Sequence, residues 1–122
     1  MALNHGRLAH WHGLNALEAL EHEYWNRDLV RKVREELEEA ARLLDIHLER
    51  VSCPCGDTQE DVAFYRELCE WVVEAERENT LFPLPLVQEA LEAHFRGKTE
   101  SHRCLWRLME GVHHWVERKE TG

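Results

Sequence analysis

The sequence predicts an all-α protein: an antiparallel helical bundle of about five helices, one of them short. Three observations carry this. Apolar residues recur at three- and four-residue spacing along almost the whole chain, the rhythm of amphipathic helices. Only three prolines and six glycines interrupt 122 residues. No segment shows the sustained alternation and paired turns that strands need.

The first helix is expected over about residues 7 to 25, with Leu14, Leu17, Leu20 and Tyr24 in rhythm. "WNRD" breaks it, and Asn26 is a suitable N-cap for the next. The second helix, residues 27 to 50, is the clearest element. Val30, Val33, Leu37, Ala40, Ala41, Leu44 and Leu48 make one apolar stripe, and Arg34, Glu35, Glu38, Glu39 and Arg42 lie opposite. "SCPCGD" ends it, because Pro54 biases Cys53 away from helical geometry.

"TQED" (Thr58 to Asp61) reads as a capping box with Asp in place of Glu, opening a third helix to about Asn79. Val62, Tyr65, Leu68, Cys69, Val72 and Ala75 face inward along it. "NTLFPLPL" is an apolar connector. Pro85 suits the first turn of a short fourth helix ending near Phe95, with Gly97 as punctuation. Thr99 is the expected cap of a fifth helix, with Leu105, Val112 and Val116 on its stripe.

Length places the chain, residues 1–122, in one domain large enough for a core of its own. The formal charge of -9 argues against nucleic acid as the main partner and against an anionic membrane surface. It is compatible with a basic protein partner or bound cations. No apolar run approaches the roughly 20 residues that span a bilayer, and the N-terminal stretch does not read as a secretory signal. A cytoplasmic location is therefore expected, with the four cysteines reduced.

Two constellations have metal-ligating chemistry. Antiparallel helices would bring His47, Cys53 and Cys55 to the same end as His102 and Cys104. Thiolates and imidazoles suit tetrahedral zinc, though "CPC" has only one residue between its cysteines. The plain alternative is a turn that contains thiols. At the other end lie Glu18 and His22 on the first helix and the E-x-x-H pair Glu110 and His113 on the fifth. Carboxylate-bridged iron bundles use that pair twice; here it occurs once. The plain alternative is flanking polar residues beside a tryptophan-rich core.

"VREELEEAARLL" followed by "TQEDVAFYRELCEW" resembles the MazG-type nucleoside triphosphate pyrophosphohydrolases. That resemblance implies an all-α, oligomeric enzyme in which paired E-x-x-E and E-x-x-D carboxylates hold magnesium. Glu36 and Glu39 match the first pair and Asp61 the last aspartate, while Thr58 stands at the remaining carboxylate position. Magnesium suits such oxygen ligands.

Three functions follow. The leading one is an acidic helical module of regulatory, accessory or inhibitor type that binds a partner protein or self-associates as a dimer, motivated by five tryptophans and the "LFPLPL" connector. The second is magnesium-dependent nucleotide cleavage through Glu36, Glu39 and Asp61. The third is a metal-binding bundle holding zinc or iron as a sensor or store.

Overall fold

Asn26 starts the longest helix. Its side-chain Oδ1 accepts the amide N–H of Leu29 at 3.0 Å, which satisfies one of the unpaired donors of a helix start. The structure, a computed structural model, describes residues 5–50 and 57–101. Among them are four helices: α1 (His5–His22), α2 (Arg27–Arg50), α3 (Gln59–Glu78) and α4 (Leu84–Ser101). The described residues contain no strand and are all-α in architecture, as expected. No described helix is long and apolar enough to cross a membrane.

Side-chain contacts fix the directions. Gly6, early in α1, lies against the ring of His47, late in α2, and Glu23 just past α1 pairs with Lys32 early in α2. Arg34 of α2 meets Glu76 late in α3 at 2.5 Å, and Asp45 meets Arg66 at 3.2 Å. Thus α2 runs antiparallel to both α1 and α3. The later part of α4 returns to the start of α3, where His94 stacks on Phe64 with ring centroids 4.1 Å apart. Its Phe95 comes close to Gly13 of α1.

The expected stripes are the ones that bury. Val30, Val33, Leu37, Ala40, Ala41 and Leu44 of α2 are all within the core. Val62, Tyr65, Leu68, Val72 and Ala75 face them from α3. The capping box at α3 is present as read: Asp61 Oδ2 accepts the Thr58 amide N–H at 2.8 Å. Asn79 closes α3 in the left-handed region, at φ 60°.

Two boundaries differ from expectation. α1 stops at His22, not residue 25. There the Trp25 indole folds back and donates to the Leu20 carbonyl at 2.9 Å, which holds residues 23 to 26 in the turn. α4 does not end near Phe95 but continues through Gly97 and Thr99 to Ser101. Gly97 faces open space. It lowers helix propensity by about 1 kcal/mol relative to Ala, a cost that a packed helix absorbs, and no cap forms there. The fifth expected helix beyond it lies outside the described residues.

Candidate functional site

At one end, two chain reversals face each other. The α3 reversal is set by Asn79 and Thr80, whose amides both return to the Ala75 carbonyl. A tight turn follows, with the Leu84 N–H donating to the Leu81 carbonyl at 3.1 Å. This turn sends Leu84 into the core at 0% exposure and leaves Phe82 77% exposed. Leu81 and Leu86 are exposed beside it. Opposite stands the α1–α2 turn, where Tyr24 is 88% exposed and Trp25 is half-buried.

Between the turns lies a cavity of about 700 Å³, lined among others by Trp25, Val30, Arg31, Arg77, Asn79 and Leu81. Burying one large apolar side chain is worth about 1.5–3 kcal/mol. Scattered exposed apolar residues are ordinary, but a contiguous group marks an interaction surface. Trp25 and Leu81 line this cavity, and their chain neighbours Tyr24 and Phe82 are exposed. None of the described tryptophans is fully buried; Trp11 and Trp71 are exposed and Trp25 is half-buried.

The opposite end holds a polar cluster inside the core. His10 is 2% exposed and Asp57 is 8% exposed. His10 Nε2 lies 2.9 Å from Asp57 Oδ1, and His10 Nδ1 lies 3.2 Å from the Tyr65 hydroxyl. A carboxylate only accepts, so Nε2 carries the hydrogen, and in the neutral ring Nδ1 accepts from Tyr65. His47 Nε2 stands 3.6 Å from the other Asp57 oxygen. His94 Nε2 is 4.0 Å from Asp61 Oδ1. Burial, with the Asp61 and Asp57 carboxylates nearby, pushes the Tyr65 hydroxyl well above the usual phenol range.

The expected site residues are distributed as follows. Cys53, Cys55, His102, Cys104, Glu110 and His113 lie outside the described residues. His47 is on the last turn of α2, engaged with Asp57 as above. Glu18 and His22 are exposed on α1, with the His22 ring 3.9 Å from its neighbour Glu21. Glu36 receives His12 Nδ1 at 2.6 Å. Glu39 pairs with Arg42 at 2.6 Å, and that guanidinium holds its carboxyl below the usual range. Asp61 is the capping residue of α3. Among the described residues, no group of three or more His, Cys, Asp or Glu is arranged to hold a metal ion.

Sequence reasoning did not bring His10, Asp57, Tyr65 and His94 together. His10 lies on α1 and Asp57 just before α3, 47 positions apart, and no local spacing links them. Cys69, expected as a core thiol, is half-buried beside a cleft of about 640 Å³ between α2 and α3. Burial pushes its thiol up to about 11.

Compared with known proteins, the chain matches no family model, no curated protein and no solved structure.

Proposed function

We propose that the protein is an acidic helical interaction module that binds a partner protein through the end built by its two turns. The observation that carries this is the exposure of Tyr24 and Phe82, the chain neighbours of Trp25 and Leu81, which line one cavity. Aromatic side chains supply most of the energy at protein interfaces. The described helices act as an antiparallel bundle that holds the two turns in register. The His10–Asp57–Tyr65 cluster supports this reading, since a hydroxyl with 0% exposure is placed to fix the core, not to meet a substrate.

The test is quantitative affinity capture with the whole chain as bait, against a Tyr24→Ser/Phe82→Ser double variant. Light scattering on the unfused chain reports self-association. The expected result is one protein, or a second copy, retained in stoichiometric amount by the parent and lost by the variant, with helicity unchanged. Retention of the same proteins by both would overturn the reading. So would magnesium-dependent turnover of nucleoside triphosphates that disappears with Glu36→Ala and Asp61→Ala.

A further inference from the structure

We infer that the cavity between the two turns takes an acidic peptide segment carrying a bulky apolar side chain. The inference rests on the interaction reading above and names the class of partner. It runs opposite to what the net charge of -9 implies, because charge at a cavity is local.

Three arginines, Arg27, Arg31 and Arg77, line the cavity against one glutamate, Glu76. Glu76 is already held by Arg34 at 2.5 Å. Several described cations elsewhere have carboxylate partners, among them Lys32 with Glu23, Arg42 with Glu39 and Arg66 with Asp45. Arg31 and Arg77 have none among the described residues. Arg27 is held through its Nε by the Asn79 side-chain oxygen, which leaves the terminal nitrogens of its guanidinium to donate.

The side-chain oxygens of the wall and its indole N–H are likewise committed. Asn26 Oδ1 accepts from Leu29. Asn79 Oδ1 accepts from Arg27. The Trp25 indole N–H donates to the Leu20 carbonyl, so its ring offers the cavity an apolar face. What its side chains have left to give is donors, those of the guanidinium groups and of the asparagine amides, around an apolar wall made by Trp25, Val30, Ala75 and Leu81. The complementary ligand brings acceptors and apolar surface together. Guanidinium forks match carboxylates in planar geometry. A volume of about 700 Å³ lies within the usual range for ligand pockets, roughly 300–1,000 Å³. Phosphates would also meet the arginines, but a nucleic-acid backbone would then run over a surface of net negative charge.

The test is selection from a random peptide display library on the immobilised whole chain, repeated on an Arg31→Glu/Arg77→Glu variant. Both arginines are exposed, and circular dichroism checks that the variant keeps its helices. Selected peptides are then synthesised and titrated by fluorescence anisotropy at low and high salt, with an oligothymidylate in parallel. The expected result is enrichment of Asp or Glu beside Trp, Phe or Leu. Affinity should fall with salt and weaken by about tenfold or more in the variant.

Enriched peptides without acidic residues, or affinity that survives the charge reversal, would overturn the inference and leave the interaction reading standing. Tighter binding of the oligothymidylate would overturn it in favour of phosphate. No enrichment at all would also overturn it, and the capture experiment with Tyr24→Ser/Phe82→Ser would still decide the interaction reading separately.

Discussion

His10 Nε2 lies 2.9 Å from Asp57 Oδ1, with both side chains nearly out of water. The bond ties α1 to the segment that caps α3, across 47 positions of sequence. A buried donor that loses its acceptor costs about 1–3 kcal/mol. Asp57→Ala should therefore destabilise by that amount in urea unfolding. Asp57→Asn keeps an oxygen for His10 and should lose less. Equal losses for the two substitutions would show that the bond contributes little and that shape alone matters at this position.

Tyr65 makes the fold sensitive to alkali. Its hydroxyl is held above its ordinary value by burial, so between about pH 10 and the folded value only the unfolded chain releases the proton. The unfolded state then binds fewer protons, and stability falls as pH rises, by up to about 1.36 kcal/mol per pH unit. The contribution is fully present below pH 10. Tyr65→Phe should lose about 0.5–1.5 kcal/mol at neutral pH with the hydrogen bond to His10, and should show a shallower decline above pH 10. Parallel pH profiles for the two proteins would exclude the phenol as the cause.

The local features were legible in the sequence because local rules decide them. The α2 stripe, the Asn26 cap and the Thr58–Asp61 box depend on neighbours within a turn or two. The His10–Asp57–Tyr65 cluster was not legible, since its members come from separate elements and no spacing links them. Gly97 misled because glycine interrupts a helix only when something replaces the lost propensity, and here it faces open space. The "LFPLPL" connector was recognised as apolar, but which leucine turns inward depends on the turn at Leu81–Leu84. The arginines at the cavity were hidden by net charge, which sums over surfaces that never meet.

Two glycines should respond in opposite directions to the same substitution. A Cβ at Gly13 would stand 2.7 Å from the Tyr65 hydroxyl oxygen and 2.9 Å from Phe95 Cζ. Both neighbours are buried, so Gly13→Ala should destabilise by about 1–3 kcal/mol as an overpacked core. Gly97 meets nothing within 4 Å and sits inside α4. Gly97→Ala should stabilise by about 0.5–1 kcal/mol. Thermal unfolding of both variants checks the pair. A neutral Gly97→Ala would mean that α4 adds little to cooperative stability at that point.

Cys69 should be a slow thiol. It is half-buried, its Sγ faces the Arg34 carbonyl at 4.0 Å, and burial with nearby Glu38 raises it to about 11. The thiolate is the reactive species. In the folded protein, alkylation of Cys69 by iodoacetamide should therefore rise by about tenfold per pH unit from neutrality toward that value. In urea the same residue should react faster at neutral pH, as its thiol returns to the ordinary range. Peptide-resolved mass spectrometry follows Cys69 separately from the other three cysteines. The shift also has a consequence for the fold: stability from the neutral thiol is present below about pH 9 and declines as pH rises toward 11. Cys69→Ser should remove that part of the decline and leave the part due to Tyr65. Rapid native alkylation at neutral pH would show instead that the α2–α3 cleft opens readily around this residue.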